Sequence, residues 1–228
     1  MAAPADITIK NLNGEWTLDK SVSNDADPVL ALQGMSWLTR KAIGLATLTL
    51  KVHQYPESAN PTVINIDIDQ IATGGIKGTS EKRITDWTAR PHSDHIFGNV
   101  EGQSRVVRGA KGADGKVRPN LEVSTKVGNG NDDAKVARFL RGEILADGSE
   151  TEGFQVEPLG EEYGDGEGLY IQNFVVSKDA GYGWTAEQVW GFETVQGERR
   201  YTRRIVVAKD GKCQMIRFVY SFLKHRDA

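Results

Sequence analysis

The sequence predicts an all-β fold, a single antiparallel β-barrel covered by one N-terminal helix, and three observations lead there. The first is the C-terminal run from Trp184 to Leu223, which reads as three antiparallel strands joined by the turns Gln196-Gly197 and Asp210-Gly211. Both central residues of a type I′ turn need positive φ, which Asp-Gly tolerates, so a two-residue loop is expected at each. The second is the alternation that these turns impose. With register fixed, Lys209 faces Lys212, Val207 Gln214, Ile205 Ile216, Arg203 Phe218 and Tyr201 Tyr220. Around the other turn, Val195 faces Glu198, Phe192 Tyr201, Trp190 Arg203 and Gln188 Ile205. One face is then aromatic and apolar apart from Gln188, Arg203 and Gln214. The other carries Glu187, Glu193, Arg200, Arg204 and Arg217 and is expected to be wet. The third is the spacing of turn signals along the chain, which leaves roughly ten short strands and a single convincing helix. A sandwich accounts for the same alternation; the barrel is preferred because one face is aromatic and the other charged.

In chain order, Gly14-Glu15-Trp16-Thr17-Leu18 is a first strand whose Trp suits the plug at one end of a barrel. Residues 23–46 form the helix, with Asp27 as N-cap and Pro28 at the first helical position. Leu30, Met35, Leu38, Ala42 and Leu45 fall near helical spacing, and Arg40 and Lys41 complement the dipole. Strands follow at 47–55 and 62–72. In the second, Ile64, Ile66 and Ile68 alternate with Asn65, Asp67 and Asp69, so the two aspartates read as a solvated outer face rather than as a metal or acid–base pair. Residues 76–87 read as another strand, and a strand pair is expected from His95 to Arg108, broken at Gly98 and Gly102. Residues 109–120 form a loop with an Asp114-Gly115 turn. Segments 121–127 and 135–145 are expected to be short strands, with a hairpin at Asp147-Gly148 into 150–159. Residues 160–168, GEEYGDGEG, are an acidic surface loop, and 169–177 form the strand that leads into the C-terminal three.

At 228 residues, with neither an internal repeat nor a linker, residues 1–228 are expected to form one domain. Net charge is −3 and no basic stretch alternates with exposed aromatics, which argues against nucleic acid as a partner. Cys213 is the single cysteine, so an internal disulfide is excluded. The start, MAAPADITIKNLNG, holds no apolar core of signal-peptide length, and no later run could span a bilayer. A soluble, cytoplasmic protein is expected. GxGxxG and GxxxxGK[ST] are absent. His92, Asp94 and His95 cluster, but no partner at zinc spacing accompanies them, so a turn is expected there and no metal site.

The stretches LNGEWTLDKSVSNDADPVLALQGMSWLTRKAIGLATLTL, DQIATGGIKGTSEKRITDW, DHIFGNV and GWTAEQVWGFETVQGERRYTRRIVV carry a wider likeness. The chain resembles fungal lipocalin-like (calycin-type) proteins of secondary-metabolite clusters, among them the hetero-Diels–Alderases of tropolonic sesquiterpene biosynthesis. The likeness covers most of the chain, with residues 160–168 matching least. It implies a barrel that holds a tropolone quinone methide against a humulene-type alkene, a meroterpenoid-forming cycloaddition that needs no cofactor and no nucleophile. It also implies a basic side chain over the Trp of the first strand, for which Lys224 is the candidate. Two functions follow from one pocket: a cofactor-free pericyclase, or a non-catalytic binder of an apolar small molecule.

The resemblance transfers no catalytic residues, so the site comes from the register. Arg203, Tyr201 and Gln188 are the expected catalytic groups, polar donors for the substrate's oxygens. Trp184, Trp190, Phe192, Phe218 and Tyr220 are the expected substrate-binding walls. Arg203 lies between Trp190 and Phe218 on the apolar face, where an unpaired guanidinium is costly. It must stack on rings, pair with an acid or reach a ligand. The partners expected are apolar or tropolone-type small molecules, and the sequence leaves a homo-oligomer open.

Overall fold

The structure is a computed structural model that describes residues 1–73, 78–158 and 161–226. β1 (Gly14–Leu18) is followed by α1 (Asp27–Leu32), α2 (Trp37–Leu45), β2 (Leu48–Pro56), β3 (Ile64–Ala72), β4 (Ser80–Ile84) and β5 (Arg90–Asp94). Then come β6 (Gly98–Lys111), β7 (Val117–Pro119), α3 (Gly130–Leu140), β8 (Glu167–Ser177), β9 (Thr185–Val195), β10 (Glu198–Lys209) and β11 (Lys212–Lys224). The strands make one sheet in the order β4-β3-β2-β1-β11-β10-β9-β8-β6-β5, with β7 added to β6. First and last strands pair antiparallel, so the sheet curls into a calycin-type barrel. Its two ends meet where Asp86 bridges Arg105 and the Trp87 N–H donates to the Ser104 carbonyl at 2.8 Å.

All of the cross-strand pairs expected around the two C-terminal turns are present. Gln196 and Gly197 (φ 51° and 79°) and Asp210 and Gly211 (φ 50° and 73°) all adopt positive φ, as a type I′ turn requires. Trp16 is fully buried at one end of the barrel against Phe192, Tyr201 and Phe222, with its Nε1 donating to the Leu12 carbonyl at 3.0 Å. Lys224 lies opposite Glu15, its ammonium 3.4 Å from that carboxylate and its side chain half exposed.

Several expectations are corrected. The N-terminal helix is two helices, parted at Gly34, which has φ +88° and the Tyr182 ring where a Cβ would stand. Ala26, not Asp27, is the N-cap of α1. Asp27 pairs instead with Arg40 of α2. The expected apolar stripe splits as well: Leu30 is buried, whereas Leu38 and Leu45 of α2 are exposed. Residues 121–127 form no strand, and of the segment expected at 150–159 residues 150–158 contribute only isolated bridges, residue 159 lying outside the described ones. The strand expected at 76–87 is shorter, β4, and residues 76 and 77 lie outside the described ones. β6 runs unbroken through Gly102 and pairs with β5, which starts earlier than expected.

The largest correction is at 135–145. Much of that segment is helix α3, started by Asn129, whose side chain accepts from the Asp132 N–H. Val136, Phe139 and Leu140 recur at i, i+3 and i+4, a helical stripe where the sequence predicts a strand. α3 and the flanking coil cover the outer face of β9 and β10, and there Glu187, Glu193 and Arg204 are buried rather than wet. Their parity is as expected; their solvation is not. Gly191 lets the Phe154 ring approach β9, since a Cβ there would stand 2.5 Å from it.

Among the described residues, no helix is long and apolar enough to cross a membrane.

Candidate functional site

The inward faces of the strands enclose a cavity of about 570 Å³, within the size range of small-molecule sites. Val29 and Leu30 of α1 cover one end, and Trp184, Ala186, Val207 and Ile216 form an apolar wall. Further along β9, β10 and β11 the lining becomes a polar wall at Gln188, Arg203 and Tyr220, joined by Glu81 and Arg83 of β4.

Arg203 is 5 % exposed. Its guanidinium carbon lies 3.9 Å from the Trp190 ring centroid, 5.3 Å from that of Tyr220 and 5.4 Å from that of Tyr201. Its Nε donates to the Tyr201 hydroxyl at 2.8 Å. Nη2 is buried with no hydrogen-bond partner. Burial acts against its charge, but Tyr201, Tyr220 and Glu81 outweigh burial and raise its pKa above the ordinary value. Burial pushes both tyrosines up, so each stays a neutral phenol.

The sequence-derived residues divide. Arg203, Gln188, Trp184, Phe218 and Tyr220 line the cavity. Tyr201, Trp190 and Phe192 stand behind that wall. Trp190 is the plate beneath Arg203 and donates from Nε1 to Gln188 Oε1 at 2.9 Å. Tyr201 stacks on Tyr220, 5.3 Å between centroids, and holds Arg203. Phe192 belongs to the plug around Trp16 and lies under the Arg199 guanidinium.

The sequence reading missed β4's contribution. Arg83 donates from Nε to Glu81 Oε2 at 2.9 Å, and Gln70 Nε2 donates to Oε1 at 2.5 Å. Burial pushes the Glu81 carboxyl up, yet Arg83 and Arg203 prevail and hold it below its ordinary value. Ser80-Glu81-Lys82-Arg83 is polar at both parities, so alternation marked no inward face there.

His92 and Asp94 also border the cavity and pair with each other, Nε2 to Oδ2 at 3.2 Å. Among the described residues, no three His, Cys, Asp or Glu side chains group to hold a metal ion. Asp69 accepts from Ser80 Oγ at 2.6 Å, and Asp67 lies 4.0 Å from His53.

Fold and cavity together define a calycin-type barrel with a ligand-sized interior. Among solved structures the chain is similar to apo lipid binding protein 8 of Caenorhabditis elegans, with a TM-score of 0.52 and 10 % identity over 96 % of this chain and all of that one. It is also similar to a Schistosoma mansoni fatty acid binding protein solved with arachidonic acid, with a TM-score of 0.48 and 14 % identity over 93 % of this chain and 96 % of that one. No family model matches. In sequence it is similar to the probable pericyclase scpY of Mollisia scopiformis, 24 % identical over 222 residues that cover 97 % of this chain and 95 % of that protein. The pericyclase pydY of Acremonium sp is 23 % identical over 228 residues, 99 % of each chain. The chain thus has full-length fungal homologues named pericyclases.

Proposed function

We propose that this chain is a cofactor-free pericyclase, and that its reaction is an intermolecular hetero-Diels–Alder cycloaddition of fungal secondary metabolism. The partners are a tropolone quinone methide and a humulene-type sesquiterpene. Full-length similarity to two proteins named pericyclases supports the reaction class, and the resemblance described above supports the substrates. The observation that carries the reading is Arg203: a charged guanidinium on the cavity wall whose single hydrogen bond, among the described residues, is to Tyr201.

Holding two partners in one geometry removes on the order of 7 kcal/mol of barrier in favourable cases. The apolar wall packs the alkene and keeps water from the quinone methide. Arg203 donates to the heterodiene oxygen, where negative charge builds up in the transition state. Gln188 assists from its amide, the Tyr220 hydroxyl contributes a further donor, and Trp184 and Phe218 flank the conjugated ring. Tyr201 and Trp190 act through Arg203 by holding it, and are positioning residues.

The test is incubation of purified protein with a quinone-methide precursor and humulenol. Cycloadduct should form faster, and in a different product ratio, than in buffer. A ratio equal to that of buffer, with ligand bound, makes the chain a non-catalytic binder instead. Arg203→Met keeps length and apolar stem but deletes the donors. It should lose at least tenfold in turnover while keeping its thermal midpoint, and wild-type turnover would remove Arg203 from the mechanism.

A further inference from the structure

Building on the ligand-binding cavity of that reading, we propose that the wall around Trp190 selects conjugated ligands with an ionised oxygen headgroup, a vinylogous acid, for which Arg203 is the counter-ion. Two guanidiniums lie against the Trp190 ring, Arg203 at 3.9 Å and Arg83 at 5.5 Å from its centroid. One carboxylate, Glu81, serves both by charge, and its hydrogen bonds are already taken by Arg83 and Gln70. Arg203 is left with a neutral phenol and a sealed Nη2.

The other charged groups lining the cavity do not make up the difference. Arg90 is paired with Asp86 at 2.6 Å. Asp94 accepts from the Ile96 and Phe97 N–H groups, both at 2.7 Å, and faces His92. Lys82 adds a further positive charge and is exposed. The polar wall therefore carries positive charge in excess, in a place where water screens it weakly.

A guanidinium cannot relieve this by losing its proton. An ionised ligand supplies the missing charge, and an anionic oxygen accepts a charge-assisted hydrogen bond of a strength that a neutral ether or ketone oxygen does not match. The same excess of positive charge favours a transition state that gathers negative charge on oxygen, so recognition and acceleration draw on one group.

The experiment measures equilibrium binding of tropolone, kept ionised by the buffer, and of its neutral methyl ether, read by tryptophan fluorescence quenching and by calorimetry. Wild-type protein should bind the anion at least about tenfold more tightly. Arg203→Met should bind both probes alike, and Glu81→Gln, which removes the competing carboxylate, should bind the anion several-fold more tightly than wild type. Equal wild-type affinities, or discrimination that survives in Arg203→Met, overturn the proposal. Should Arg203→Met fail to fold by circular dichroism, Glu81→Gln decides: anion affinity that stays constant or falls overturns it. Charge discrimination without cycloaddition would leave this proposal standing and remove the pericyclase reading. Cycloaddition without discrimination would do the reverse.

Discussion

Arg203 and Arg204 are neighbours on β10 that face opposite sides of the sheet, and both are withdrawn from water. Arg204, fully buried, has a partner at every nitrogen: Nε and Nη2 donate to Glu193 at 2.8 and 3.0 Å, and Nη1 to the Phe139 and Ile144 carbonyls at 3.1 and 2.6 Å. Arg217 adds a second cation to Glu193 at 3.0 Å. A buried carboxylate bound this way holds the α3 layer on the barrel, whereas Arg203 keeps donors in reserve. Breaking a buried pair from one side typically costs about 3–5 kcal/mol, because the partner charges stay behind. Glu193→Gln should lower stability by that order in urea denaturation. Burial pushes the Glu193 carboxyl up, but Arg204 and Arg217 outweigh it and hold it below the ordinary 4.5. With the folded value below the unfolded one, its contribution is fully present above 4.5 and is lost as pH falls through the folded value. Urea midpoints taken on acidification should therefore fall more steeply for wild type than for Glu193→Gln.

At the scale of elements, α3 is a short helix that depends on a cap and on one apolar stripe. Asn129 supplies the cap, so Asn129→Ala should cost about 1 kcal/mol, seen as a lower thermal midpoint. α2 is its opposite, with no buried residue and with Trp37 64 % exposed. Trp37→Ala should change stability by less than about 0.5 kcal/mol, and a larger loss in the same melt would show a packing role that the exposure denies. The C-terminal hairpins were legible because two tight turns fix register without reference to the rest of the chain. β4 was not, because its residues are polar on both sides. α3 carried a readable signal, Asn129 followed by apolar residues at i, i+3 and i+4, but Val and Phe within a short segment suit a strand equally well.

For the whole molecule, the decisive feature is that the barrel is plugged at one end by Trp16 and open within. Phe192 and Tyr201, expected in the pocket, fall on the plug side because the inward face of one strand serves both regions in turn. Filling the open part should separate binding from folding. Ala186→Trp, on the apolar wall, should cut ligand affinity and cycloadduct formation at least tenfold, with the circular dichroism of the barrel preserved. Wild-type affinity in that variant would place the ligand elsewhere. Conversely, a ligand at a hundred times its Kd should stabilise wild type by about 2.7 kcal/mol and leave the melting of Ala186→Trp unchanged.

Taken alone, the sequence determined the antiparallel β class, the pairing of β9, β10 and β11, and which side chains share each face. These are local properties: backbone φ at two turns and the two-residue period of a strand. It also placed an arginine among aromatic rings. Only the tertiary structure decided that the charged outer face is dry, because that depends on a helix and coil arriving from residues 121–158. Only the tertiary structure brought Glu81 and Arg83 to Arg203, across a barrel whose ends meet through Asp86 and Arg105. Parity along a strand says which side a residue faces; what waits on that side is set by segments far away in the chain.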